Sequence, residues 1–419
     1  MIMRQLAFFI LALLPSLHAW GGDWPQWRGV HRDGHAQRET APGELPKDLK
    51  PLWKIPVGGG FSAPVVVGDK VVYLDAQDGK ESAHVLKTSD GTELWHKEYA
   101  ESFGDEWGTG PRATPIIEND RLYVQACNGE FRCLKLEDGA EIWKASYEKD
   151  FGVKFLGSKA KEGTASRRGN NGSGVISGDR IILPVGNTEG ASLVCFDKMT
   201  GKVLWKSGTD EAAYSSFLEA ALAGEKQVLA FTADALLGAN PKDGKILWRM
   251  PLKTNAKRHA ASPVVVGDDM LTVNSHSFGL NCYKVGKDTG GWKVSEAWSN
   301  KELKINLATP VLLEGFLYCQ GAKKDFVCVD AATGALQWSQ PGFGSGQKDY
   351  ASSIAVGGKI LVLTEDGTLV LLQPNPSKYT ELGRLQVCGN TWSHPAYSAG
   401  KLYVRDGRSL QCLQLGPAQ

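Results

Sequence analysis

The chain has 419 residues, 42% of them apolar and 22% charged, with 47 basic residues against 46 acidic ones. That length and apolar share can bury a sizeable core, while the near-zero net charge excludes the basic surface on which nucleic-acid binding depends. Beyond the first twenty residues, no stretch is long and apolar enough to cross a bilayer as a helix.

Residues 1–19 carry Arg4 near the start, an apolar core over 6–14, and the small residue Ala19 before a polar run. This pattern predicts a secretory signal peptide and a periplasmic or secreted chain, the apolar core being far short of the ~20 residues that a spanning helix needs. No cysteine precedes Cys127, so no lipid attachment site follows the core. Residues 20–50 precede any repeat. Within them, 23–34 (DWPQWRGVHRDG) combine two tryptophans, a proline and several charges. We read this segment as a latch that packs its rings over one end of the fold, rather than as a ligand site.

From residue 51 a unit repeats. It is clearest over 308–338: an apolar run, a Glu314-Gly315 turn, a second run, a polar hairpin loop, a third run, a Thr333-Gly334 turn and a strand ending on Trp338. Short β-branched or aromatic runs punctuated by glycine read as strands, so the unit is a four-stranded antiparallel meander. Its opening mark falls at Pro64, Pro115, Gly174, Ser216, Pro263, Pro310, Ser353 and Pro395. Its closing tryptophan falls at Trp53, Trp95, Trp143, Trp205, Trp248, Trp298 and Trp338, with Leu382 in the eighth place. One meander cannot bury both faces and must stack on its sisters. The fold expected over 51–419 is therefore all-β, an eight-bladed propeller. After Pro395 only three strands remain, whereas 52–55 precede the first mark, so the N-terminal strand should close the last blade and remove a sheet edge.

Eight cysteines in an exported chain raise the question of disulfides. Cys133, Cys195, Cys282, Cys328 and Cys412 occupy one equivalent third-strand position in five blades, so they read as small buried apolar side chains. Cys127 and Cys133 share a blade, but a two-residue Asn128-Gly129 turn would pair 127 with 130 and 124 with 133, sending the two sulfurs to opposite faces. The eight histidines show no ligand spacing, and no catalytic motif is present, so neither a metal site nor a catalytic residue is expected.

The tight turns inside each blade lie on one face of the disc, and the longer loops from each closing tryptophan to the next opening strand must surround the mouth on the other. The loop over 149–171 and the one holding Lys253, Lys257 and Arg258 together carry seven net positive charges, a local field that favours anions. Arg112, Arg168, Asn171, Arg258, His259, Trp392 and His394 lie just before opening strands. With Arg167 and Lys253 they form the candidate ligand-binding set; the alternative is solvated charge that binds nothing. Because exposed charge contributes little to folding, exchange of Arg167 and Arg168 is expected to leave stability unchanged.

The run Asp330-Ala-Ala-Thr-Gly334-x-x-x-Trp338, echoed by Asp197-Lys-Met-Thr-Gly201-x-x-x-Trp205, resembles the pyrroloquinoline-quinone (PQQ) propeller repeat. The opening DWPQWRG and RDG, with GTGPRATP (108–115), AYSSF (213–217) and LYVRDG (402–407), is similar to PQQ-binding-like propeller repeat proteins over nearly the whole chain. The resemblance implies one of two classes. One is a non-catalytic, monomeric binding or scaffolding propeller of the cell envelope, engaging an anionic small molecule or a protein partner; the propeller lipoprotein of the outer-membrane β-barrel assembly complex is a relative that shares the ring. The other is a quinoprotein alcohol dehydrogenase holding PQQ and calcium, with Trp392 stacked on the quinone and Arg112 or Arg258 pairing its carboxylates. The chain lacks the adjacent cysteine pair of the dehydrogenases and the lipid-attachment cysteine of the assembly factor. The missing pair and the short loops favour the first class, with no cofactor.

Overall fold

Successive residues of a strand point to opposite faces, so a strand covered on both sides becomes an almost unbroken apolar run. In the strand Lys70–Gln77, Val71 and Tyr73 enter a core shared with the last blades, while Val72 and Leu74 enter a core shared with the next blade. The computed structural model describes residues 22–155, 157, 168–254, 256–345 and 350–417; the segment read as a signal peptide and Arg167 lie outside them. It is an eight-bladed β-propeller of four-stranded antiparallel sheets. Blade 1 comprises Val65–Val67, Lys70–Gln77, Lys80–Lys87 and Glu93–Glu101, and blades 2 to 7 follow over 116–386. Blade 8 takes Ala396–Ser398, Lys401–Arg405 and Ser409–Gln414 from the C-terminal end and Pro51–Pro56 as its outermost strand. The ring thus closes as expected. No helix among the described residues is long and apolar enough to cross a membrane.

The seams between blades repeat one contact. In five of them, the outer-strand tryptophan of one blade lies on the glycine of the next blade's outer turn: Trp53 on Gly91, Trp95 on Gly139, Trp143 on Gly201, Trp205 on Gly244 and Trp298 on Gly334. Each indole Nε1–H also donates, at 2.9–3.2 Å, to the carbonyl three residues before that glycine: Thr88, Leu136, Lys198, Pro241 and Ala331. The Asp-Gly or Thr-Gly of the outer turn is therefore a seat for a neighbour's ring as well as a turn. Trp248 departs from the pattern and donates to Gln227 of its own blade. The eighth place needs correcting by one residue: Gly383, rather than Leu382, stands opposite Leu371 where other blades have tryptophan. Leu45, arriving from the N-terminal segment, covers that glycine.

The five equivalent cysteines pair across the sheet with Trp143, Trp205, Trp298, Trp338 and Trp53, each in a different sheet, and all eight cysteines are free thiols. The expected register in blade 2 was wrong by one. Tyr123, rather than Val124, stands opposite Cys133, because the turn holds three residues, with Gly129 at φ 77° closing a bulge, instead of two.

The segment over 23–50 is more than a latch over one end. It enters at the first turn of blade 1, where Asp23 accepts from Gly68 N, and Trp24 exchanges both backbone hydrogen bonds with Val66 of the inner strand. It then loops through the axis. Pro25 O accepts from Ile117 N of blade 2. Arg32 donates to Gly174 O and Phe217 O of blades 3 and 4, Trp27 donates to Ser262 of blade 5, and Arg28 donates to Thr309 O and Pro310 O of blade 6. His35–Ala36 pairs in parallel with Ala355 and Val356 of blade 7, and both tryptophan rings meet His394 of blade 8. The chain leaves on the turn face, where Glu39 accepts from Ala399 N and Gly400 N. It is an axial plug that touches all eight blades.

The docking contact separates from backbone strain in a matched pair. Gly201 and Gly68 both hold positive φ, but an added Cβ at Gly201 would lie 2.6 Å from Trp143, whereas at Gly68 it meets nothing within 4 Å. Both Gly→Ala changes incur about 1–2 kcal/mol of left-handed strain. Gly201→Ala should cost about 1–3 kcal/mol more through overpacking, measured by chemical denaturation. Equal losses would show that the indole seat contributes nothing.

Candidate functional site

The loops that join one blade to the next converge around the mouth, and the tip of the plug supplies the floor. Between them lies a cavity of about 330 Å³, at the small end of the range for small-molecule sites. Its aromatic lining is Trp27 from the plug, Phe61, Trp107, Tyr214, Tyr350 and Trp392. Trp392 stacks on Phe61 at 5.3 Å, tilts against Trp107 at 5.8 Å, and donates its Nε1–H to Glu365. Hydroxyls tie adjacent blades together beneath these rings: Thr114 N donates to Ser173 Oγ, and Ser173 N to Ser216 Oγ.

Of the residues singled out from sequence, Arg112, Arg168, Asn171, Arg258 and Trp392 line this one cavity. The others are elsewhere. His259 is buried, stacked 4.0 Å from Phe231 and hydrogen-bonded to Thr232 O. His394 is buried beneath the plug, where burial pulls its pKa down to about 3, so the imidazole is neutral. Lys253 is exposed, 4.0 Å from Asp234. Arg167 lies outside the described residues.

The expected surplus of positive charge does not stand as free charge. A small hairpin that the sequence reading missed, Gly104–Asp105 paired with Gly108–Thr109, brings a carboxylate under the mouth. Asp105, fully buried in its side chain, accepts from Arg112 Nη1 and Nη2 at 2.9 and 2.7 Å and lies 3.5 Å from Arg168. Burial alone would raise the Asp105 pKa, but the Arg112 fork outweighs it and holds the carboxyl below its ordinary value. Arg168 also pairs with Glu106 at 2.6 Å, and Lys257 with Glu211 and Asp234. Arg168 is thus buried and paired, which corrects the premise that its charge is exposed. Arg112 and Arg168 cover the rings of Phe61 and Trp107 and present the edges of neutralised forks to the cavity. Arg258 differs. It faces the same space beside Tyr214 and His276, and among the described residues no carboxylate lies within ion-pair distance of it.

Sequence reasoning also missed Trp27, Trp107, Tyr214, His276 and Tyr350. Trp107 and Tyr214 stand beside or within blocks already noted as distinctive, GTGPRATP and AYSSF; Trp27 was assigned only to the latch.

Two measurements test this electrostatic reading. Arg112→Ala leaves the buried Asp105 carboxylate only the Trp107 N–H at 2.8 Å and a long 3.5 Å contact to Arg168, and should cost about 3–5 kcal/mol in chemical denaturation, whereas Lys253→Ala should stay within about 0.5 kcal/mol of wild type. Behind the hairpin, Glu81 accepts from Tyr99 and Phe103 N. Burial pushes its pKa up to about 7 against the opposing hydrogen bonds and Arg112. A carboxyl whose pKa rises on folding stabilises the protein below its unfolded value and loses that contribution as pH climbs through the folded one. Wild type should therefore lose on the order of 3 kcal/mol between pH 4.5 and pH 8 from this group. Glu81→Gln should remove that slope, gaining on wild type at pH 8 and not at pH 4.5; parallel pH profiles would refute the assignment.

A family model described as outer membrane protein assembly factor BamB matches residues 46–156, 82–340 and 288–379. No curated protein matches the chain. Among solved structures, BamB from Moraxella catarrhalis superposes with a TM-score of 0.56 at 16% identity, covering 88% of this chain and 98% of that one. The computationally designed Ika8 protein gives 0.58 at 11% identity over 87% and 99%. A quinohemoprotein alcohol dehydrogenase from Comamonas testosteroni gives 0.48 at 13% identity over 95% and 81%. At these identities the likeness is one of fold.

Proposed function

The chain belongs to the PQQ-type propeller family described as outer membrane protein assembly factor BamB, and from that premise we propose a non-catalytic binding or scaffolding propeller of the cell envelope. Its mouth cavity takes a flat anionic group, carried by a small molecule or presented by a protein partner. The observation that carries this reading is Arg258: a guanidinium without a carboxylate partner among the described residues, set in the wall of an aromatic cavity. An arginine fork binds a carboxylate or phosphate through two charge-assisted hydrogen bonds, and the surrounding rings offer stacking area and exclude water.

A quinone–calcium centre does not fit the same residues. Calcium takes six to eight oxygen ligands, carboxylates prominent among them, and among the described residues no Asp or Glu lines the cavity. Arg112, one of the two cations expected to pair the quinone, already has both terminal nitrogens on Asp105. Phe61 stacks on Trp392, the expected stacking ring.

Calorimetric titration with PQQ, used simply as a flat polycarboxylate, and with an aromatic monocarboxylate tests the proposal, each run with and without calcium. Binding should be indifferent to calcium, and Arg258→Ala should weaken it about tenfold or more, the loss of one charge-assisted contact, at unchanged melting temperature. Equal affinity of wild type and variant would sink the assignment. A strict calcium requirement with alcohol-dependent dye reduction would move the chain to the dehydrogenase class.

A further inference from the structure

The histidines show no ligand spacing in sequence, yet the pleat of blade 1 gathers two of them. Tyr73, His84 and His96 stand opposite one another on three successive strands, so their side chains share one face. Glu93 begins the fourth strand, just after the turn that seats Trp53. His84 Nδ1 lies 2.6 Å from Glu93 Oε1, and His96 Nδ1 lies 3.0 Å from Glu93 Oε2. One ligand atom from each of the three residues falls within 4.8 Å of the others.

We propose that His84 Nδ1, the Glu93 carboxylate and His96 Nδ1 bind a borderline divalent transition ion of the Zn(II) type, at the rim of the seam between blades 8 and 1. Two imidazoles and one carboxylate are a donor set that such ions favour. Ligand atoms about 2.0–2.1 Å from a common ion lie roughly 3.3 Å apart in a tetrahedron. The two contacts to Glu93, at 2.6 and 3.0 Å, need open by roughly 0.3–0.7 Å to reach that spacing.

The surroundings of His84 are what separate this group from a chance surface cluster. Its Nε2–H donates to Asp75 Oδ1 at 3.0 Å, and Asp75, 3% exposed in its side chain, is itself fixed by Gly58 N at 2.7 Å. A carboxylate behind the second nitrogen holds the proton at Nε2, so that an arriving ion displaces the proton at Nδ1, and it raises the basicity of that nitrogen. The ring is also held flat against Tyr73, at 4.5 Å and 9° between planes. One ligand is therefore rigid, oriented and backed by a buried anion. His96 and Glu93 are exposed enough, at 60% and 41%, to close on an arriving ion and leave further positions to water.

The site also has a structural consequence. The turn between His84 and Glu93 contains Thr88 and Gly91, the seat of Trp53. An ion that ties the third strand of blade 1 to the fourth would stiffen the contact on which ring closure rests.

Tag-free protein, stripped with EDTA and dialysed, should be titrated with ZnCl2 by calorimetry, with Co(II) visible absorption as a second readout. The expected result is one saturable equivalent, imidazole-type Co(II) bands and a melting temperature that rises with zinc. His96→Ala should abolish the equivalent while melting like wild type in EDTA. Asp75→Asn should weaken binding about 10–100-fold, as loss of a carboxylate behind a metal-bound histidine does. His31→Ala, remote from the cluster, should change nothing. If His84→Ala misfolds, His96→Ala and Glu93→Gln, both at exposed positions, carry the test. Unsaturable binding by wild type, or an intact equivalent in His96→Ala, would overturn the proposal.

Discussion

Eight inner strands converge on the axis of this propeller, and each turns one edge of backbone donors and acceptors toward it. Buried polar groups of this kind must find partners, and the plug supplies them. Its two arginines spread their donors over Gly174, Phe217, Thr309 and Pro310 carbonyls, doing with side chains what an extra strand could do for only one blade. Burial lowers Arg28 to about 10 and Arg32 to about 9, still well above neutral pH, so both guanidiniums stay charged against carbonyl dipoles rather than carboxylates. Arg405 repeats the device between blades 8 and 1, donating to Leu74 O, Gly58 O and Gly59 O.

The mouth cavity inherits its shape from that arrangement. Its floor is the plug's own Trp27, fixed by Ser262 and His394, and its walls are loops pinned by Asp105. Arginines near the axis therefore fall into two kinds that composition cannot distinguish. Arg112 and Arg168 are held by carboxylates and shape the wall, while Arg258 presents charge to the cavity. A count of loop charges treats all three alike, although Arg112 finds its carboxylate, Asp105, in its own loop, and Arg168 takes Asp105 and Glu106 from the preceding inter-blade loop.

Much of the fold was legible because the repeat writes its contacts locally. A strand's two-sided burial, the glycine of the outer turn and the closing tryptophan recur in sequence order, so blade number and closure follow from spacing alone. Legibility stopped where a residue's partner lies far along the chain. The seat left empty at Gly383 is filled by Leu45, and nothing near Gly383 announces it. The three-residue turn at 127–129 differs from a two-residue one only in backbone angles. His84 and His96 come together through cross-strand register, with a bulge in between, so linear spacing hides them. The cavity residues Arg112, Arg168, Asn171, Arg258 and Trp392 were found because loops before inner strands must face the axis. His259 and His394 satisfy the same rule and instead turn inward, where Phe231 and the plug cover them.

The order in which the chain becomes available sets a constraint of its own. The residues that fill the axis and close the ring come first, yet their partners come last: Glu39 is 361 residues from Gly400, and Trp53 stands opposite Cys412. As the polypeptide emerges from its N-terminus, Trp24 can pair with blade 1 early, but Glu39 and the strand Pro51–Pro56 must wait, unpaired, while seven blades stack behind them. Each blade can find its predecessor, as in other repeat proteins, but the hub stays open and the first edge stays bare until the final strands arrive. Contacts of such separation form slowly, and an unpaired strand is adhesive meanwhile. The two prolines that bound that strand, Pro51 and Pro56, lack the N–H groups through which a stray chain would extend it.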